Sequence, residues 1–157
     1  MKGLILLFVL TSQFVFSQTS KPIVSYPNNS GNQARNYSEV VSVDLGTAIM
    51  LTISGQVALN EKGELVGKGD FEKQTIQVFE NLKTIVIKNG GTMANIIKTN
   101  IYLTDITNLD TFRRIRKTYF DSINPPASTL VQVSGLFRND LLIEIEAVAI
   151  IPKSSTH

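Results

Sequence analysis

The chain has 157 residues, 43% of them apolar and 18% charged, which suits one globular domain and leaves no room for two. The absence of cysteine excludes a disulfide framework, a thiolate nucleophile and a cysteine metal site, and the single histidine is the last residue, His157. Fifteen Lys and Arg against 13 Asp and Glu give a formal charge of +2, too small to drive nucleic-acid binding by bulk charge.

The first residues read as a secretory signal. Met1-Lys2 is a short basic start, Leu4–Phe16 is apolar, and Val15 and Ser17 are small enough to flank a cleavage site before Gln18. The apolar run falls short of the ~20 residues of a membrane span, so no stable membrane anchor is expected. Loss of Lys2 leaves 14 basic against 13 acidic residues, a charge of +1. Residues 18–36 form a polar leader, rich in Asn, Ser and Pro, expected to become ordered only near Tyr37.

Val40–Leu45 and Ala48–Gly55 are β-branched runs around Gly46 and predict a hairpin. A short strand near Gln56–Leu59 would precede the turn Asn60-Glu61-Lys62-Gly63. From Phe71 the period becomes helical: Phe71, Val78, Leu82, Ile85 and Val86 share a face, Asp70 caps the start, and Gly90-Gly91 ends the run. Ile96–Thr104 predicts a strand with Ile97, Thr99, Ile101 and Leu103 on one face and Asn100 on the other. A second helix, capped by Asn108 or Asp110, buries Leu109, Phe112, Ile115, Tyr119 and Ile123 and stops at Pro125-Pro126. Its basic run Arg113, Arg114, Arg116 and Lys117 reads as a solvated face. Leu130–Val133 and Leu141–Ile150 are the last strands, and residues 153–157 are a polar tail.

This order predicts an α+β domain, a mixed sheet with two helices on one face. The other sheet face remains partly apolar and calls for a partner, most simply further copies of the same chain.

Several segments, in order and spacing, resemble the reactive-intermediate deaminase (Rid, or YjgF) family. They are Tyr37-Ser38-Glu39 followed by Val41, Ser54-Gly55-Gln56, Lys98-Thr99-Asn100-Ile101-Tyr102-Leu103-Thr104-Asp105, Pro126-Ala127-Ser128-Thr129 and Ile143-Glu144-Ile145-Glu146-Ala147. They span residues 37–152. The resemblance implies a chorismate-mutase-like fold, a homotrimer whose sheets form a central barrel, and three small-molecule clefts between subunits. It implies hydrolysis of enamines and imines, such as 2-aminoacrylate to pyruvate and ammonia; no cofactor and no metal are expected, and the small net charge argues against a nucleic-acid partner.

By the same resemblance Glu144 orients the attacking water, Tyr37 lines the cleft and Gly55 lets a ligand approach the backbone. Asn100, Ser128 and Thr129 complete the substrate-binding set. Each has a plainer reading: a surface glutamate paired across strands, an interface tyrosine, a strand-end turn, structural hydrogen bonding. Ser128 stands where the family carries the arginine that holds the substrate carboxylate. A hydroxyl offers one neutral hydrogen bond in place of a charged fork. Deaminase activity is therefore expected to be weakened or altered, unless another cation such as Arg138 takes the role. The alternatives are a non-catalytic metabolite-binding module and an endoribonuclease; the small charge and the lack of internal histidine speak against the latter.

The exported protein should begin near Gln18. Intact-mass measurement of the secreted species checks this, and a product that retains Met1 would overturn the export reading.

Overall fold

The structure, a computed structural model, describes residues 23–27 and 37–153. The expected signal segment, its cleavage position near Ser17, and His157 lie outside the described residues, and of the polar leader only residues 23–27 are described. Val40–Asp44 (β2) and Ala48–Gln56 (β3) form the expected hairpin. Gly46 turns it with φ +85°, and its N–H donates to Asp44 Oδ1 at 2.7 Å. Val24–Ser25 (β1) pairs with β2, so part of the polar leader is ordered ahead of Tyr37. No strand forms over Gln56–Leu59 beyond the end of β3. The segment instead closes on a single bridge, Leu59 to Leu65, around the turn in which Asn60 Oδ1 accepts from Lys62 N and Glu64 N.

Helix α1 spans Phe71–Lys88, with Asp70 accepting from Lys73 N at its start and Gly90 at φ +83° beyond its end. The predicted face is buried, and Gln74, Thr75 and Phe79 are buried with it. The strand after it, Ile96–Leu103 (β4), departs from the simple alternation. Ile96 opposes Ala149 and Lys98 opposes Val148, a bulge that turns Ile97 outward, half exposed, and buries Ile96 in its place.

Helix α2 is short, Leu109–Arg116. Neither Asn108 nor Asp110 caps it by a side-chain bond. Asp105 instead accepts from Thr107 N and starts a 3₁₀ turn that leads into the helix. The helix ends well before Pro125 because Thr118 Oγ1 donates to the Ile115 carbonyl while Thr118 N and Tyr119 N tighten onto residues three back. Ile123 consequently lies outside the helix and is 81% exposed, not buried. Tyr119 stays partly buried, stacked on Phe79 at 4.7 Å with its hydroxyl donating to Glu80 Oε1.

Ala127–Gln132 (β5) begins three residues before the expected strand and so includes Ser128 and Thr129. Ile143–Pro152 (β6) closes the domain. The sheet order is β1-β2-β3-β6-β4-β5, antiparallel except for β4 with β5, which the crossover through α2 makes parallel. Both helices cover one face, where Leu51, Ile53, Ile101, Leu103, Ile143, Ile145 and Ala149 meet Val78, Phe79, Leu82 and Phe112. The other face carries a half-buried strip of Val41, Val43, Met50, Val148 and Ile150, as expected from the sequence.

Gln74 joins the layers. Fully buried, it donates to Asp140 O at 2.8 Å and Gly67 O at 3.2 Å and accepts from Leu142 N at 2.8 Å. It thus fixes where β6 starts. Gln74→Leu should cost about 2 kcal/mol or more, because each buried backbone group left unpaired costs about 1–3 kcal/mol; urea unfolding measures the loss.

Candidate functional site

The strict alternation of β6 buries Ile143, Ile145, Ala147 and Ala149 and sends Glu144 and Glu146 to the second face, two residues apart. On one flank lies β3. Ile53 pairs with Ala147 and Gln56 with Ile145, so Ser54 and Gly55 together oppose Glu146 in a bulge. A Cβ added to Gly55 would collide with Glu144 Oε1 and come within 2.7 Å of Glu144 Cδ. Glycine is therefore what lets this carboxylate lie against the backbone of β3. Ser54 Oγ donates to Ser38 O at 2.7 Å, tying this bulge to the segment that follows Tyr37. Tyr37 itself is 60% exposed.

On the other flank lies β4. Asn100 opposes Glu146 and donates to its Oε1 at 2.6 Å; Tyr102 opposes Glu144. Burial, and next Glu146, push the Glu144 carboxyl above its ordinary range. The Tyr102 phenol is raised as well, by burial first and then by Glu146 and Glu144. Tyr102 was not among the sequence candidates. Its signal was the two-residue spacing from Asn100 on the same face.

Ser128 and Thr129 fall elsewhere. Thr129 is on the second face, where Lys98 Nζ donates to its hydroxyl at 2.8 Å. Ser128 pairs with the buried Thr99 on the helix-side face, the two hydroxyls 3.4 Å apart. Glu144 registers with Tyr102 and Tyr102 with Val131, so Ser128 is two strands over and three residues back. At about 4.8 Å per strand and about 3.3 Å per residue, each of these two offsets is about 10 Å. The chain therefore unites Gly55, Glu144 and, through Glu146, Asn100 on the second face, but sets Ser128 on the other face and away from Glu144.

Arg138 is bound fork-to-fork by Asp140, Nε to Oδ1 at 3.0 Å and an NH2 group to Oδ2 at 2.6 Å, and so has a partner of its own. The basic run on α2 divides. Arg113 and Arg114 are exposed, with ion pairs to Asp110 and Glu72, and Lys117 is exposed. Arg116 departs from the expected solvated face. Its guanidinium lies over the Phe120 ring, 5.4 Å from the centroid, and donates to Pro126 O at 3.3 Å. Among the described residues no three His, Cys, Asp or Glu side chains group as metal ligands, and no helix is long and apolar enough to cross a membrane.

Residues 28–151 match the family model described as Endoribonuclease L-PSP. A RutC family protein of Pyrococcus horikoshii is 41% identical over 100 residues, which is 63% of this chain and 77% of the relative. The human 2-iminobutanoate/2-iminopropanoate deaminase is 35% identical over 114 residues, 73% of this chain and 79% of the relative. The crystal structure of RidA from an Antarctic Psychrobacter superimposes with a TM-score of 0.64 at 31% identity, covering 76% of this chain and 91% of that one.

A carboxyl raised in the folded state disfavours folding once it is ionised, and the penalty vanishes when both states are protonated. Glu144→Gln should therefore melt above the wild type at pH 7. The gap should narrow as the pH falls through the Glu144 range toward ordinary carboxyl values. Thermal melts of both proteins across that range check the sign.

Proposed function

The chain belongs to the reactive-intermediate deaminase (Rid, YjgF) family, and from that premise we propose that it is an exported homotrimeric hydrolase of 2-imino and 2-enamino acids. The observation that carries the reading is the Glu144 carboxylate, half withdrawn from water and held against Gly55. A carboxylate raised in pKa is suited to orient a water and take its proton near neutral pH. In the hydrolysis the water oxygen bonds to C2 as the C=N bond opens. Both water protons pass to nitrogen, the C–N bond breaks, ammonia leaves, and the oxygen remains as the keto group. An enamine first takes a proton on carbon and releases one from nitrogen, which makes it the imine.

The separation of Ser128 from Glu144 within one subunit supports a cleft completed by a second copy. The apolar strip on the second sheet face supports the trimer that would bring the two together. Ser128 would then meet the substrate carboxylate with a hydroxyl, which alters recognition without removing the water site. An endoribonuclease would need a cationic track for phosphates; a formal charge of +2 and two glutamates on the second face do not supply one.

Analytical ultracentrifugation should find three subunits, and the trimer should release ammonia and 2-oxobutanoate from 2-iminobutanoate. Glu144→Gln should lower kcat by about 100-fold or more, the range of a lost general base. Gly55→Ala should fold but lose activity, since its methyl displaces the same carboxylate. A wild-type trimer with no turnover would leave the metabolite-binding reading in its place.

A further inference from the structure

A 2-imino acid brings a carboxylate, and the hydroxyl of Ser128 cannot neutralise it. The described arginines differ in the company they keep. Arg113, Arg114 and Arg138 each hold a carboxylate, Asp110, Glu72 and Asp140. Arg116 alone among them makes no ion pair. Its Nε is buried and, among the described residues, is the buried side-chain nitrogen with no hydrogen-bond partner.

Its place is specific. One NH2 group donates to the carbonyl of Pro126, two residues before Ser128, and the ring of Phe120 holds the guanidinium from below. Two residues of extended chain span about 6.6 Å. Helix α2 packs on the helix-side face of the sheet, and Ser128 lies on that same face, beside Thr99. Arg116 and Ser128 thus converge on the start of β5, an edge strand whose outer side is open in the subunit. A guanidinium has five N–H donors in a planar fork, and here a single carbonyl and a ring hold it in place without filling that fork.

We infer that Arg116 is the carboxylate anchor for 2-imino and 2-oxo acids, acting beside Ser128 from the end of α2. The inference rests on the hydrolase reading for its substrate, but its chemistry is the recognition of a small carboxylate and is measurable without turnover. Arg116 is a specificity-determining residue: it contributes to binding and not to the attack of water.

The test uses the full trimer. Steady-state rates are measured with 2-iminobutanoate, and calorimetry measures binding of 2-oxobutanoate and of butanone, which lacks the carboxylate. Arg116→Met should raise KM for the imine and Kd for 2-oxobutanoate about tenfold or more, the worth of a charged hydrogen-bonded anchor, with kcat little changed. Butanone binding should not respond. Arg116→Gln, which keeps a donor for Pro126 O, should show the same loss if Arg116→Met proves unstable, and Arg116→Lys should fall between. Moving the charge, Arg116→Met with Ser128→Arg, should recover the lost affinity. Unchanged KM and Kd in folded Arg116→Met or Arg116→Gln would overturn the anchor while leaving the hydrolase reading intact. A wild type that binds 2-oxobutanoate through Arg116 yet never turns over the imine would do the reverse. A wild type that neither turns over the imine nor binds 2-oxobutanoate would overturn both.

Discussion

Everything in this domain is referred to the alternation of β6. It lies in the middle of the sheet, between β3 and β4, and a strand there must bury one face against the helices. Isoleucine and alanine at odd positions take that face, so the even positions, Glu144 and Glu146, have no choice but the other. A one-residue slip would drive two carboxylates into a core that also contains Leu82 and Phe79. The hydrophobic core thus sets the position of the acidic pair, and Gln74 sets the register by holding the chain just before β6.

The same central position gives Glu144 its chemistry. Strands on both sides remove water from it, and Gly55 lets it approach the backbone of β3 closely. Glu146, two residues on, is engaged by Asn100. Two carboxylates on one face therefore have different surroundings: one is hydrogen-bonded across the strand, the other is pressed against glycine with its pKa raised. Such a division is what separates a structural carboxylate from one suited to handle a proton.

The edge of the sheet is built on the opposite plan. At β5 the chain arrives from a helix that stops early, because Thr118 takes the Ile115 carbonyl, and passes through an exposed loop to Pro126. The early stop fixes Arg116 as the last helical residue and leaves its side chain lying along the start of β5. Arg116 shares a helical face with Phe112 and the aromatic cluster of Phe79, Tyr119 and Phe120, which is why it turns inward while its neighbours in the basic run point to water.

Most of the secondary structure was legible in the chain, because period and punctuation are local. The hairpin around Gly46, α1 between Asp70 and Gly90, and the paired glutamates of β6 follow from neighbouring residues alone, and so did the family, through short segments in order. What local pattern could not decide was set by contacts between distant residues. The bulge that exchanges Ile96 for Ile97 is a matter of register against β6. The early end of α2 depends on a side chain competing for a carbonyl, and the pairing of β1 on a strand beyond the polar leader. Tyr102 joined the site because it faces Glu144 from the neighbouring strand, and Arg116 left the solvated face because aromatic rings from α1 and the turn after α2 offered it a surface. Composition determines which residues are available and periodicity determines which face they take. Only the packed structure brings residues remote in sequence together, and so only it decided which carboxylate is desolvated and which of the described arginines is left without an anion.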